Sequence, residues 1–204
     1  MKKIISLLLT IIMLGCCVCM WSCDGFNRTI DPEKSRFVKM DFEGYGSIII
    51  EIYHDVAPIT AENFVRLVDS GFYDGLTIFR AQRNFVIQGG RDYNTKVDPI
   101  VGEFSANGYT NNLSHKRGVI SMARSNDPNS ATSQFFITLN DIARHSLDGK
   151  YAAFGVVVEG MDVVDAVAEG LFDHAIDSDG FVGNSDAITI TGAKIIEYNK
   201  EATE

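Results

Sequence analysis

Two stretches of this 204-residue chain set polar side chains into otherwise apolar, strand-like runs. The first is Thr77-Ile78-Phe79-Arg80-Ala81-Gln82-Arg83-Asn84-Phe85-Val86-Ile87-Gln88-Gly89-Gly90, where Arg80 and Gln88 interrupt the pattern. The second is Ser130-Ala131-Thr132-Ser133-Gln134-Phe135-Phe136-Ile137, with Gln134 beside an aromatic pair. Singly, each has a plain structural reading: Arg80 as a surface side chain of a half-buried strand, and Phe85, Phe135 and Phe136 as core, because period-two alternation gives the same pattern. Together they read as a groove, with apolar walls and a few polar groups that orient a ligand.

Other chemistry is poorly supported. There is no G-x-S-x-G elbow, no phosphate-cradling G-x-x-x-x-G-K-[ST] loop and no G-x-G-x-x-G after a strand. His54, His115, His145 and His174 stand isolated, without ligand spacing, so no metal and no cofactor is expected and each histidine reads as a solvated surface residue. A Ser/His/Asp hydrolase assembled from distant positions has no local signature but stays open.

The whole chain carries 18 basic and 27 acidic residues, a formal charge of -9, with no clustered basic run, which argues against nucleic acid as a partner. Met1-Lys2-Lys3 followed by the apolar run Ile4 to Leu14 has the order of a secretory signal. All 4 cysteines, Cys16, Cys17, Cys19 and Cys23, fall at the end of this stretch, which excludes a disulfide scaffold for the rest. Leu14-Gly15-Cys16 and Trp21-Ser22-Cys23 both resemble the cleavage and lipid-attachment site of a bacterial lipoprotein. Cys23 is preferred because cutting there leaves no free thiol, and Cys16 is the alternative. An uncleaved anchor over Ile4 to Trp21 and ordinary secretion remain open. Every one of these readings places the folded part outside the cytoplasm, in the cell envelope or periplasm, with a membrane lipid anchor as the favoured tether. The boundaries expected are a signal over 1–23, a linker over 24–35, a domain over 36–198 and a polar tail over 199–204.

Phe37, Val38, Met40 and Phe42 lead through Gly44-Tyr45-Gly46 into Ser47 to Ile52, two strands about a glycine turn. Pro58 opens a helix with Ala61, Phe64, Val65 and Val68 on one face and Gly71 beyond its end. A second helix starts at Met161, with Val164, Val167 and Ala168 on one face and Gly170 expected to end it. Strands are expected at Thr77 to Phe79, Phe85 to Gln88, Gly118 to Met122, Gln134 to Leu139 and Phe154 to Val158. A last one runs from Ile188 to Tyr198, interrupted by Gly192. Many short strands with only two helices argue for a closed or sandwiched antiparallel sheet. Leu171 to Asp186 reads only as a long polar surface connection.

Phe79-Arg80, Phe85-x-x-Gln88-Gly89-Gly90, Ser121-Met122-Ala123 and Ser133-Gln134-Phe135-Phe136-Ile137 resemble the signature blocks of the cyclophilin-type peptidyl-prolyl isomerases, and the bacterial branch fits best. Pro58-x-Thr60-Ala61-Glu62-Asn63-Phe64 is similar to that family's first helix, and Leu147-Asp148-Gly149-Lys150-Tyr151-x-x-Phe154-Gly155 to its late loop and strand. The resemblance implies an eight-stranded closed antiparallel β-barrel capped by two α-helices, and an enzyme that rotates X-Pro bonds in proline-containing polypeptides, as a monomer and without cofactor. It assigns Arg80 as the catalytic arginine and Phe85, Val86, Phe136 and Leu147 as the pocket for the substrate proline. Gln88, with the backbone near Ala123 and Arg124, would hold the substrate chain, Gln134 would line the same groove, and Tyr151 stands where many relatives have histidine. Three departures stand out. Phe79 replaces a frequent histidine and Val86 a common methionine, both expected to keep an apolar wall, while Ser146 stands where relatives carry an aromatic ring. That last change keeps a non-catalytic proline-peptide-binding module or chaperone as the alternative.

Overall fold

The computed structural model describes residues 36–198. The signal, both candidate lipid-attachment cysteines, the linker and the tail lie outside the described residues.

The glycine turn forms as the sequence suggests, joining β1 (Arg36–Phe42) to β2 (Gly46–Ile52) in an antiparallel hairpin. Val38, Met40 and Phe42 on one strand and Ile48, Ile50 and Ile52 on the other are buried, so the alternation selects the face that turns into the core. The remaining strands are β3 (Thr77–Gln82), β4 (Val86–Gly89), β5 (Val119–Met122), β6 (Phe135–Thr138), β7 (Ala153–Glu159) and β8 (Ile188–Ile196). They close into an antiparallel barrel in the order β1-β2-β7-β5-β6-β4-β3-β8. Closure leaves few unpaired edges, and buried side chains fill the interior. Ile78, Ile87, Ile120, Met122, Phe135, Ile137 and Phe154 are all buried there.

Two longer helices pack on the barrel. In α1 (Pro58–Asp69) the predicted stripe of Ala61, Phe64, Val65 and Val68 is buried. The Phe64 ring meets Phe135 edge-on at 5.9 Å and lies 5.0 Å from Phe154. Burying a ring of that size is worth roughly 3 kcal/mol. Ala57 cannot cap this helix with its side chain; the buried carboxylate of Glu103 does so from a distant loop. It accepts from Ile59 N–H at 3.1 Å, from Thr60 N–H at 2.7 Å and from the Thr60 hydroxyl at 2.7 Å. A negative charge here also complements the positive end of the helix.

Several sequence expectations are corrected. The second long helix, α3 (Met161–Phe172), continues through Gly170. That glycine leaves room for Tyr45: a Cβ there would lie 2.1 Å from the Tyr45 hydroxyl, and the ring would have to swing aside. β8 ends at Ile196, short of the expected Tyr198, and the interruption expected at Gly192 takes the form of a bulge against β1: Asp41 pairs with Gly192 and Phe42 with Ile190, leaving Thr191 as the extra residue. β3 extends three residues past Phe79. A short third helix, α2 (Arg144–Leu147), follows a 3-10 turn over Asp141–Ala143; four residues are too few to show helical periodicity.

Replacing Glu103 by alanine strands the three donors at the start of α1, so Glu103→Ala is expected to lower stability by about 2 to 3 kcal/mol. Equilibrium urea unfolding of the two proteins measures this, and an unchanged midpoint would show that α1 does not depend on the remote cap.

Candidate active site

The site lies on the outer face of the barrel. Register explains why its parts meet: Arg80 of β3 pairs with Gln88 of β4, Gln88 with Phe136 of β6, and Phe136 with Ser121 of β5. Side chains directly opposite across strands share a face. β3 and β4 shift register between Ile78 and Arg80, leaving Phe79 as the extra residue. Such a bulge re-aims the side chain that follows it.

These residues build a second, smaller apolar cluster apart from the barrel core. Val86, Phe136, Ala143 and Leu147 are buried in it, and Phe85, Ala123 and Tyr151 pack against them. A hollow of about 310 Å³ opens over the cluster, lined by Phe85, Val86, Phe136, Leu147, Tyr151 and Phe181, with Arg80, Gln88, Ala123 and Arg124 at its polar margin. Tyr151 meets Phe136 edge-on at 5.5 Å. A smaller depression of about 260 Å³ adjoins it, sharing Gln88, Ala123 and Arg124 and adding Ser125, Ser130 and Gln134. Of the expected site residues, Gln134 therefore lines the adjoining depression, and the others line the main hollow.

The Arg80 guanidinium is held by three oxygens. Nε donates to the Asp179 carbonyl at 2.7 Å, Nη1 to Gln88 Oε1 at 3.0 Å and Nη2 to Gln82 Oε1 at 2.9 Å. Gln88 Nε2 in turn donates to Gln134 Oε1 at 3.1 Å. Three of the five guanidinium N–H groups are thus engaged and two remain for a ligand. Behind the groove, the Ser133 hydroxyl donates to the Gly90 carbonyl, and the Tyr73 hydroxyl to the Ser133 carbonyl, both at 2.9 Å. The two segments singled out in the sequence are fastened together there. Ala123 N–H is committed to the Gln134 carbonyl at 2.8 Å, so that residue has only its carbonyl left for a bound chain. Arg124 lies over Tyr151 with its guanidinium carbon 4.7 Å from the ring centre, and donates to the Lys150 carbonyl.

Three expectations change here. Phe79 does not line the hollow; it is buried behind it, stacked on Phe181 at 6.0 Å. Phe181 belongs to the segment read only as a surface connection, and its signal was a phenylalanine followed by Val182 within the polar stretch beyond Ile176. The third change concerns the histidines: His54 and His115 are buried, at 7% and 1% exposure, and are not surface residues. A partner 33 residues away makes that burial tolerable for His115, and sequence spacing does not reveal it. Its Nδ1 lies 2.8 Å from Asp148 Oδ1 and its Nε2 3.0 Å from the Ser121 hydroxyl, while its ring stacks on Phe136. His54 has no hydrogen-bond partner on either ring nitrogen, and Glu62 is 3.9 Å away.

Ser121, His115 and Asp148 have the order of an acyl-transfer triad, but Ser121 is at 0% exposure. No acyl carbon can reach its hydroxyl, so the set acts as a clamp. It ties Phe136, at the base of the hollow, to Asp148, which follows Leu147 in its wall. Burial holds the His115 pKa below the ordinary histidine value, against the opposing pull of Asp148. Burial alone would raise Asp148, but its bonds from His115 and from the Ser114 hydroxyl hold it low.

Comparison with known proteins agrees with this geometry. Residues 37–194 match the family described as cyclophilin type peptidyl-prolyl cis-trans isomerase/CLD. A peptidyl-prolyl cis-trans isomerase of Acinetobacter baylyi is 42% identical over 126 residues, covering 60% of this chain and 67% of the relative. Peptidyl-prolyl cis-trans isomerase B of Escherichia coli is 38% identical over 129 residues, covering 60% and 79%. Among solved structures, a cyclophilin type isomerase of Cryptosporidium parvum superposes with a TM-score of 0.67 at 23% identity, covering 81% of this chain and all of that one. The same isomerase solved in the presence of the dipeptide Ala-Pro gives 0.65 at 24% identity, covering 79% and 99%. At that identity the likeness is one of fold.

A histidine whose folded pKa lies below its unfolded value of about 6.5 stays neutral in the native state while the unfolded chain takes up a proton. His115 and His54 both shift in this direction. Their contribution is present above pH 6.5 and is lost as pH falls through their folded values. Urea midpoints are therefore expected to drop between pH 7.5 and 5, and to drop less in His115→Gln. An equal drop in both proteins would remove His115 from the acid response.

Proposed function

The chain belongs to the cyclophilin-type peptidyl-prolyl cis-trans isomerases and rotates X-Pro bonds, and from that premise we propose that Arg80 is its catalytic group and the adjoining apolar hollow its proline pocket. The observation that carries this reading is a guanidinium fixed at the margin of a hollow walled by Phe85, Val86, Phe136 and Leu147. A proline ring has the size and polarity for such walls. Gln88, Gln134, the Ala123 carbonyl and the Arg124 main chain hold the substrate backbone alongside, and Tyr151 closes one rim.

The X-Pro amide resists rotation by roughly 18 to 20 kcal/mol because the nitrogen lone pair is delocalised into the carbonyl. Exchange without catalyst takes tens to hundreds of seconds. Reaching milliseconds requires about five decades, or roughly 7 kcal/mol off the barrier. No bond breaks. In the twisted transition state the proline nitrogen becomes pyramidal and accepts a hydrogen bond that the planar ground state cannot, and Arg80 supplies the donor. One charged hydrogen bond gives about 1.5 to 3 kcal/mol, less than half of the requirement. The remainder comes from a groove that binds the twisted peptide better than either planar isomer, with the ring immobilised while its preceding carbonyl turns.

The clients we propose are unfolded or flexible polypeptides of the cell envelope. The support is the signal-like start of the chain, with its small-residue-before-Cys pairs. In this reading the protein is a lipoprotein attached through Cys23, with Cys16 as the alternative, and its domain works at the membrane surface.

Arg80→Ala should reduce isomerase turnover about 10- to 150-fold, the rate equivalent of one charged hydrogen bond. Arg80→Lys should recover little, since a single ammonium cannot meet Asp179, Gln88 and Gln82 in one plane and still reach the substrate. A proline-limited refolding assay measures both, and wild-type rates in Arg80→Ala would take this arginine out of the mechanism. For the anchor, the intact mass of membrane-extracted protein is expected to correspond to a chain beginning at lipid-modified Cys23. A chain retaining Met1 would refute the lipoprotein reading.

A further inference from the structure

Residues 173–187, between α3 and β8, form a strap with its own internal bonding. Ala175 bridges to Val182, and Ile176 N–H donates to the Phe181 carbonyl at 2.8 Å. Asp177 Oδ1 accepts from Asp179 N–H at 3.0 Å and from Phe181 N–H at 3.1 Å, folding the tip. The base is fastened by His174 and Asp186, 3.3 Å apart. The strap docks where the barrel ladder runs out: β8 pairs with β3 only at Thr77 and Ile78. Beyond that point the strap takes over, with Ala81 N–H donating to Gly180 O at 2.8 Å, Val182 N–H to Phe79 O at 3.0 Å, and Arg80 bridging to Phe181. Only glycine fits at position 180, where φ is +81° and a Cβ would lie 2.1 Å from the Ala81 carbonyl.

This docking delivers two groups to the site. The Asp179 carbonyl takes the Arg80 Nε–H, and the Phe181 ring joins the wall of the hollow with the Arg80 guanidinium carbon 5.2 Å from its centre. Phe79 stacks behind that ring and fixes its plane. Phe181 is half-buried, so part of its ring is left for contact. The opposite situation holds at Ser146, which is exposed on α2, offers no ring, and bonds its hydroxyl back to the Ala143 carbonyl.

We propose that the strap Asp177–Val182 is part of the active site: Phe181 is a substrate-contacting residue that packs an apolar or aromatic side chain flanking the proline, and Asp179 positions Arg80 through its carbonyl. The proposal rests on the assignment of Arg80 and the proline pocket made above. No carboxylate lines this hollow, so a cationic side chain brought to the Phe181 face would meet the Arg80 and Arg124 guanidinium groups with no opposite charge to offset them. A large apolar neighbour of proline gains buried area there.

The test compares kcat and KM on two peptide sets, one with Phe and one with Gly on either side of proline. Phe181→Ala is expected to lower kcat/KM about 5- to 10-fold for Phe-flanked peptides, mainly through KM, and less than about 2-fold for Gly-flanked ones. Phe181→Leu, which keeps an apolar surface with less risk to folding, should restore part of the difference. Equal losses in both sets, or no loss in either, would overturn substrate contact. Gly180→Ala keeps every site side chain while displacing the strap, and is expected to lower kcat for both sets; unchanged kcat would overturn the positioning role. Failure of the underlying assignment looks different, because Arg80→Ala would then turn over all peptides at the wild-type rate.

Discussion

A guanidinium pinned by three oxygens is the constraint on which the rest of this molecule depends. An arginine side chain has about 2 kcal/mol of rotamer entropy to lose, and an unrestrained one at the edge of a groove would spend most of its time elsewhere. Here Gln82 and Gln88 hold the ends of the fork and the Asp179 carbonyl holds Nε. Each holder comes from a different part of the chain. β3 must bulge at Phe79, β4 must pair in the observed register, and the strap must dock on the free end of β3. The closed barrel makes these positions stiff, because a register slip in one strand would disturb its neighbours on both sides.

The barrel keeps its two faces for separate tasks. Its interior is packed by Ile87, Ile137 and Phe135, while their chain neighbours Val86, Gln88 and Phe136 turn outward to the groove. Alternation therefore places a site residue next to a core residue along both segments. Mutations in the core and mutations in the site are adjacent in sequence but reach different solvents. The buried polar groups follow the same division of labour: Glu103 starts α1, and His115 braces the wall against Asp148.

Much of this was legible in the sequence, and what was not shares a physical reason. The hairpin around Gly44 and Gly46, the apolar stripe of α1 and the strand positions rest on local periodicity, which a single chain displays openly. The blocks around Arg80, Gln88 and Phe136 stood out because polar residues inside strand-like runs need an explanation. Three things were hidden. His115 looks like any surface histidine until Asp148 and Ser121 arrive from distant positions. Gly170 looks like a helix stop until Tyr45 is placed against it. Phe181 lies in a polar connection with no repeat, and its value comes from docking on a strand nearly a hundred residues away. Long-range partners decide all three, and periodicity carries no information about them.

The Ser121-His115-Asp148 alignment has a consequence for how enzymes are recognised. Distances of 3.0 and 2.8 Å satisfy the geometric template used to find serine hydrolases in folded chains. Interatomic spacing alone therefore does not identify an esterase. The hydroxyl, though, is fully buried, so a phosphonylating reagent should pass it by. Access, and not arrangement, separates a reactive serine from a structural one.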